Sequence, residues 1–247
     1  MSVQINRNAD GEGNMNIAII PARGGSKRIH RKNIKSFCGN PIITWSINAA
    51  KESGLFDRVI VSTDDAEIAK VAKNWGADVP FIRPQELSND FAGTTKVIAH
   101  ATQWALNEGL DLQAVCCIYA TAPLIQSVDL KKGLLKLYSG NWDYAFSVSE
   151  LNESVFRAFK LTEAGGIDKL FPEYESTRTQ DLPTAYQDAG QFYWGRPDAW
   201  ANERLIFSQN SIPVLLPKWR VQDIDNWDDW LKAEKIFKEL QRENNVN

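Results

Sequence analysis

The sequence predicts an α/β fold: a doubly wound, mostly parallel sheet with helices on both faces. Short apolar runs of strand character alternate with segments of helical length as far as about residue 150. Strands that alternate with helices in this way pair in parallel, and the helices cover both faces of the sheet. At 247 residues and 43% hydrophobic content, the chain is long and apolar enough to bury one sizeable core.

Each element is predicted from its apolar pattern and its end signals. Asn40 and Pro41 form a helix-start pair, and Asp64 and Asp65 are expected to cap the next helix. Glycines close the first three helices. Strands are expected at 17–22, 58–63, 78–83, 114–119, 144–149 and 212–217, and helices at 41–53, 66–75, 94–108, 127–138 and 227–243.

Two segments fall outside this alternation. Residues 1–14 are polar and are expected to be a disordered extension, so that a single domain occupies 15–247. Residues 152–192 break the rhythm, contain a predicted hairpin around 164–166, and mix polar with aromatic side chains. We interpret 152–192 as an inserted dimerisation arm, because it would cover a core poorly by itself.

Composition excludes several classes of function. Twenty-eight basic and 31 acidic residues give a net charge of −3, which argues against a nucleic-acid coat protein and against a polybasic membrane binder. No apolar stretch approaches the ~18 residues that cross a bilayer. The three cysteines have neither disulfide nor metal-knuckle spacing, which favours a reduced, cytoplasmic setting.

The loop after the first predicted strand concentrates positive charge. It reads "ARGGSKRIHRKNIK", and no Asp or Glu occurs between Asn16 and Lys51. Ligands of open α/β sheets bind at the carboxyl ends of strands, and glycines let a phosphate approach backbone N–H groups. We therefore predict an anion site; the alternative is a solvated turn. Neither the Walker nor the dinucleotide glycine pattern is present.

A second charged motif, "QDID", lies near the end of the chain. In an extended segment Asp223 and Asp225 share one face while Ile224 points to the core. Paired carboxylates repel each other unless a cation lies between them, and Mg2+ commonly bridges carboxylates and a triphosphate. The alternative is that Asp225 caps the helix that begins near Trp227.

These motifs, with "VSTDDAEIAKVAKNWGADVPFIRPQELSND" and "YATAPL", resemble the CMP-sialic acid synthetase family of cytidylyltransferases over nearly the whole chain. That group usually has Gln-Pro-Thr-Ser-Pro-Leu where this chain has "YATAPL", so Tyr119 replaces the Gln associated with sugar contact. "YQDAGQFYWG" is more similar to the pseudaminic acid cytidylyltransferases. The resemblance implies a Rossmann-like nucleotidyltransferase fold and an arm exchanged between the subunits of a homodimer.

The resemblance also implies a set of site residues. Arg23, Lys27 and Asp225 are the expected catalytic residues, and Asp223 and Asp225 the expected Mg2+ ligands. The implied nucleotide-binding residues are Ala22, Arg23, Gly24, Gly25, Ser26, Lys27, Lys32, Asn33, Asp64, Thr94 and Thr95. The implied sugar-binding residues are Tyr119, Thr121, Arg178, Gln180, Gln191, Phe192 and Tyr193. As bare residues, Asp64 and one of the two threonines could equally be helix caps.

The predicted reaction is attack of a nonulosonic acid, an acidic nine-carbon sugar, on CTP to give a CMP-sugar and pyrophosphate. Pseudaminic acid is the favoured sugar. The alternatives within the class are synthesis of CMP-N-acetylneuraminate or CMP-deoxyoctulosonate, and transfer to a sugar-1-phosphate. A non-catalytic phosphate or nucleic-acid binder would explain the basic loop but would leave "QDID" without a role.

Overall fold

The computed structural model describes residues 14–89, 92–151 and 153–246, in which the predicted α/β class is confirmed. The strands are β1 (Met15–Pro21), β2 (Ser36–Phe37), β3 (Asn40–Pro41), β4 (Arg58–Ser62), β5 (Leu112–Ile118), β6 (Tyr144–Glu150), β7 (Phe159–Leu161), β8 (Ile167–Lys169), β9 (Tyr186–Gly195) and β10 (Ser211–Leu215). The α-helices are α1 (Ile42–Glu52), α2 (Ala66–Asn74), α3 (Thr94–Asn107), α4 (Ser127–Leu137), α5 (Pro197–Ala201) and α6 (Trp227–Val246).

Six strands form the central sheet in the order β10-β6-β9-β5-β1-β4. β1 pairs in parallel with β4 and β5, and β10 pairs in parallel with β6. β9 is antiparallel to both of its neighbours, β5 and β6. The sheet is therefore mostly parallel, and the carboxyl ends of β1, β4 and β5 meet along one edge.

Three clusters of buried side chains form the core. Two of them cover opposite faces of the sheet: alternate residues of β1, such as Ala18 and Ile19, enter different clusters. The third cluster packs α6 against the segment that follows β1, through Trp230, Ala233 and Phe237. No helix in the described part of the chain is long and apolar enough to cross a membrane.

The strand expected at 78–83 is wrong. Only Asp78 makes a bridge, to Ile60 of β4, and the rest of the segment is irregular. Pro80 has no N–H to donate to a ladder, and Ile82 is 62% exposed rather than buried.

Two helix starts also differ from expectation. Asn40 and Pro41 form β3, which pairs with β2, so α1 begins at Ile42 without a side-chain cap. At α2 only Asp65 is the cap: its carboxylate accepts from the N–H groups of Glu67 and Ile68. Asp64 is left for another role.

In the 152–192 segment, β7 and β8 pair as an antiparallel hairpin. Three of its apolar side chains are more than half exposed: Phe159, Leu161 and Ile167. Exposed apolar patches are typical of interaction surfaces, and the dimerisation role of this segment stays a prediction. The expectation for residues 1–13 lies outside the described residues.

Candidate functional site

A cleft of about 280 Å3 lies at the carboxyl ends of β1 and β5. Its walls come from the basic loop, from the loop before α3 and from the residues that follow β5. The lining residues are Pro21, Arg23, Ser26, Lys27, Arg28, Ile29, Lys32, Asn33, Arg83, Leu87, Asn89, Ala92, Thr94, Val97, Tyr119, Ala120 and Thr121. The first of these strand ends is the one at which the anion site is predicted.

The cationic side chains of the basic loop form two groups: one lines the cleft, and the other contacts the start of α2. Arg23, Lys27 and Lys32 line the cleft, as does Arg28. Arg31 instead binds the Asp65 carboxylate with both terminal nitrogens at 2.9 Å, and it also pairs with Glu67 at 2.8 Å. Arg31 therefore ties the loop to the start of α2 rather than adding charge to the cleft.

The two glycines of the loop serve different purposes. A side chain at Gly24 would lie 2.8 Å from the Asp65 carboxylate, so a larger residue there would have to displace Asp65. A side chain at Gly25 would meet nothing within 4 Å, which leaves that position open to a ligand. Two of the N–H groups expected to hold phosphate already have partners: Gly24 donates to Asp64 at 3.0 Å, and Ser26 donates to the Gly24 carbonyl at 3.0 Å.

Three of the predicted nucleotide-binding residues make hydrogen bonds that hold the basic loop in place. Ala22 is fully buried and donates its N–H to Ser62 of β4. Asn33 donates its amide to the Arg23 carbonyl at 2.9 Å. Asp64 accepts from Gly24 and lies 3.6 Å from an Arg83 nitrogen. The Ala22 backbone and the Asn33 and Asp64 side chains thus hold the loop in place, and Asn33 also lines the cleft.

The "QDID" segment lies directly beside the basic loop. Arg28 pairs with Asp225 at 2.8 Å, and the Lys32 amine donates to the Ile224 carbonyl at 2.5 Å across 192 positions of sequence. Ile29 and Ile224, which lie inside the two charged motifs, are both buried in the third core cluster. Burying one such side chain stabilises a fold by roughly 1.5–3 kcal/mol, so these isoleucines hold the two motifs together.

Asp223 and Asp225 do not cap α6. Asn226 accepts from the Asp229 N–H at 3.0 Å, and the Asp229 carboxylate accepts in return from the N–H groups of Asp225 and Asn226. This reciprocal arrangement is a capping box. The alternative interpretation of Asp225 as the helix cap is therefore wrong, and its carboxylate pairs with Arg28 and Lys32.

The electrostatics of this corner fit a cation. The pKa of Asp223 is raised, first by partial loss of hydration and then by the negative charge of Asp225; part of its surface remains open to water. Burial lowers the pKa of Lys32, and the two aspartates oppose that shift. A divalent ion would relieve the repulsion. The described residues contain no group of three or more His, Cys, Asp or Glu suited to a metal, so further ligands would come from substrate and water.

Sequence reasoning missed Arg83. Its side chain is 3% exposed, its Nε atom donates to Ser88 at 3.2 Å, and its Nη2 atom has no hydrogen-bond partner although it lies 3.6 Å from Asp64. Burial lowers the pKa of this guanidinium. A buried arginine that lines a cleft is suited to an anionic or carbonyl ligand. The sequence signal that could have identified Arg83 is its position between Pro80 and Pro84, which disfavour a regular strand.

Thr94 is the first residue of α3, but it does not cap the helix; the cap is Gly93. Its hydroxyl lies 3.1 Å from the Tyr119 hydroxyl, and both side chains line the cleft together with Thr121. Thr95 is not among the lining residues. Because Gly93 is the cap of α3, the alternative in which one of these threonines caps the helix is wrong.

The other expected sugar-binding residues are scattered. Phe192 is fully buried, and Gln191 donates its amide to the Arg220 carbonyl at 3.2 Å, so neither side chain is presented to the cleft. Tyr193 is buried and donates to Asp188 at 2.5 Å. Arg178 and Gln180 lie on the arm and are not among the lining residues. Their role as substrate contacts stays a prediction.

The fold and the cleft together define an α/β protein of the class that binds its ligand at the carboxyl ends of parallel strands, with a basic loop and a facing pair of carboxylates at that edge. Comparison with known proteins narrows this class. The family model for cytidylyltransferases matches residues 17–218, and the chain belongs to that family. Its members transfer CMP, which excludes the non-catalytic binder considered above.

The chain is 42% identical over 223 residues to a pseudaminic acid cytidylyltransferase of Campylobacter jejuni; the match spans 90% of this chain and 96% of the relative. It is 34% identical to N-acylneuraminate cytidylyltransferase A of Danio rerio, over 88% of this chain and 50% of that protein. A solved structure of a CMP-2-keto-3-deoxy-manno-octonic acid synthetase with CTP has the same fold, with a TM-score of 0.67, 14% identity and coverage of 91% and 99%.

Proposed function

We propose that this protein transfers the cytidylyl group of CTP to pseudaminic acid, giving the CMP-sugar and pyrophosphate. The 42% identity to a pseudaminic acid cytidylyltransferase supports this sugar over the others. N-acylneuraminate cytidylyltransferases are related at lower identity. The likeness to the deoxyoctulosonate enzyme supports only the fold, because the identity is 14%. The free cysteines and the composition support a cytoplasmic location.

The contact between the basic loop and "QDID" carries the proposal. Arg28 and Asp225 form a salt bridge in which the side chains are 67% and 38% exposed. A pair this exposed stabilises the fold by at most about 1 kcal/mol. An incoming triphosphate and cation could therefore separate the two side chains at little cost, with phosphate taking the arginine and the cation taking the carboxylate.

In the proposed reaction the anomeric hydroxyl oxygen bonds to the α-phosphorus of CTP. The bond from that phosphorus to the oxygen that bridges the α- and β-phosphates breaks, pyrophosphate leaves, and the hydroxyl proton passes to solvent water. Such transfer depends on positioning and charge stabilisation more than on covalent help. Arg23 and Lys27 stabilise the charge that develops on the phosphates, and the open position at Gly25 lets phosphate approach the backbone.

The metal we propose is Mg2+, held by Asp223 and Asp225. Cytidylyltransferases of this kind generally use a divalent metal ion. When bound, Mg2+ neutralises phosphate charge and lowers repulsion of the attacking oxygen. The protein's part is to present two carboxylates beside Lys32, whose amine donates to the Ile224 carbonyl. Oxygen ligands of this type suit Mg2+.

We further propose that the 152–192 arm docks on a second subunit and that Arg178 and Gln180 act there. Arg178 is 74% exposed and pairs only locally with Asp181 in the described contacts. The exposed apolar side chains of the hairpin support an interface. Light scattering at working concentration should give the mass of a dimer. A fully active monomer would exclude the arm from the site.

Pyrophosphate release from CTP tests the reaction. The purified chain with CTP, Mg2+ and pseudaminic acid should release pyrophosphate and form the CMP-sugar, identified by its mass. N-acetylneuraminic acid and deoxyoctulosonic acid under the same conditions should react much more slowly. Faster turnover of either would reassign the sugar while leaving the cytidylyl transfer intact.

A further inference from the structure

Two cationic side chains meet the Asp225 carboxylate, one at each oxygen. The Arg28 Nη1 atom lies 2.8 Å from the Oδ2 atom, and the Lys32 amine lies 3.8 Å from the Oδ1 atom. Asp225 is one of the two proposed ligands of Mg2+. Both of its oxygens therefore face a positive charge at the place where a divalent ion would bind.

These two cations differ in how firmly the fold holds them. The Lys32 side chain is mostly buried, and its amine donates to the carbonyl of Ile224, a fully buried residue. Arg28 is mostly exposed, and it also lines the cleft. Because an exposed ion pair adds little stability, a competing anion separates it readily. Lys32 is thus a fixed part of this corner, whereas Arg28 is free to exchange one anionic partner for another.

The Asp225 carboxylate keeps its place without help from Arg28. The Asp225 N–H donates to the Asp229 carboxylate at 3.1 Å within the capping box of α6, and the neighbouring Ile224 is buried in the third core cluster. Removal of the Arg28 side chain leaves these contacts intact. It therefore changes the charge beside the carboxylate and not the position of the carboxylate.

In the free protein, Arg28 opposes the binding of a divalent ion to Asp225. The ion must either displace the guanidinium from the Oδ2 atom or bind beside it against the repulsion of two positive charges. A triphosphate changes this balance, because its oxygens accept charge-assisted, bidentate hydrogen bonds from a guanidinium. When Arg28 turns to the phosphates, the Oδ2 atom becomes accessible to the ion.

We propose that Arg28 closes the Asp225 carboxylate to divalent ions in the free protein and opens it by transferring to an incoming triphosphate. Metal binding then waits for the nucleotide, and Arg28 is the residue that imposes this order. The inference rests on the proposed function, which assigns the metal to Asp223 and Asp225. By linkage, triphosphate and metal raise each other's affinity by the same factor.

The test is the binding of Mn2+, in place of Mg2+, to the full chain without nucleotide or sugar, measured from the electron paramagnetic resonance signal of the free ion. Arg28→Ala should tighten Mn2+ binding about tenfold, the order of the repulsion between a single and a double positive charge about 4 Å apart in salt solution. Arg28→Gln should give a similar gain. Misfolding cannot produce this result, because it weakens binding. In an Asp225→Asn background, Arg28→Ala should give no gain.

Lys35→Met is the matched control. It removes one positive charge from the same loop, but the Lys35 amine lies 5.0 Å from the centre of the Trp227 ring rather than against an aspartate. Its effect on Mn2+ affinity should stay below about twofold because salt screens the more distant charge. A second measurement is CTP binding in the presence of a chelator. Arg28→Ala should weaken it about tenfold, the worth of one charge-assisted hydrogen bond.

An unchanged Mn2+ affinity in Arg28→Ala would overturn the inference. An equal gain in Lys35→Met, a gain that persists with Asp225→Asn, or an unchanged affinity of Arg28→Ala for CTP would also overturn it. A wild-type chain that binds Mn2+ and CTP as described, but releases no pyrophosphate with any of the three sugars, would instead refute the proposed function.

Discussion

Replacing Asp129 with alanine should destabilise the protein severely. Asp129 of α4 is 1% exposed and accepts from the Arg220 Nη1 atom at 2.6 Å. Arg220 is 7% exposed, and the same nitrogen also donates to the Leu124 carbonyl. The substitution leaves a buried guanidinium without a counter-charge, because no other carboxylate among the described contacts pairs with it.

The expected cost is about 3–5 kcal/mol in the free energy of unfolding. Loss of one partner of a buried ion pair is this costly because the remaining charge cannot be rehydrated. For a chain of this size the corresponding fall in Tm is roughly 10 °C. The double substitution Asp129→Leu with Arg220→Met removes both charges and should recover most of the loss.

Urea unfolding followed by tryptophan fluorescence measures these changes. The control is Glu239→Ala, which breaks a surface pair whose side chains are 77% and 58% exposed and should cost no more than about 0.5 kcal/mol. A cost below about 1 kcal/mol for Asp129→Ala, or a double variant less stable than the single one, would refute the reasoning. The result bears on the site, because Arg220 begins the segment that leads to Asp223.

Three further outcomes are expected. Asp225→Ala should abolish turnover with the fold intact by circular dichroism, and near-normal turnover in the pure variant would remove the metal assignment. Lys27→Ala should lower kcat at least ~100-fold, the scale of one lost preorganised donor; a tenfold loss or less would limit Lys27 to binding. Burial raises the thiol pKa of Cys116 and Cys117, so both should resist Ellman's reagent until the protein unfolds; rapid labelling of all three cysteines would contradict the packing of β5.

The sheet was predictable because its strands are short, strongly apolar and bounded by clear end signals. Where prediction failed, local chemistry was stronger than the apolar pattern. The 78–83 segment has the composition of a strand, but Pro80 interrupts the ladder after one bridge at Asp78. Asn40 and Pro41 look like a helix start, yet their backbone is used in a short ribbon with β2.

The opposite charges of the two motifs predict that they serve one site. They do not predict which contacts bring the two segments together. An acidic and a basic motif suggest one site, whereas nothing in the charges tells how the chain brings them together. The structure supplies the reason in Ile29 and Ile224, one apolar residue inside each motif, both buried against α6. The sequence signal for such docking is an isoleucine inside a run of charged residues, because isoleucine is usually buried.

The sugar-binding set shows a limit of resemblance. Gln191, Phe192 and Tyr193 are consecutive in β9, so their side chains alternate between the two faces of the sheet and cannot all point to one ligand. Phe192 enters the core cluster on one face and Tyr193 the cluster on the other. Because side chains alternate along a strand, the sequence alone indicates that Phe192 does not share a face with Gln191 and Tyr193.

The most direct test of the account is pyrophosphate release from CTP with pseudaminic acid and N-acetylneuraminic acid side by side, with and without Mg2+. Release with pseudaminic acid should depend on the metal and should clearly exceed release with N-acetylneuraminic acid. Equal or faster release with N-acetylneuraminic acid would contradict the choice of sugar. Release that persists unchanged in Mg2+-free, chelated buffer would contradict the role of Asp223 and Asp225.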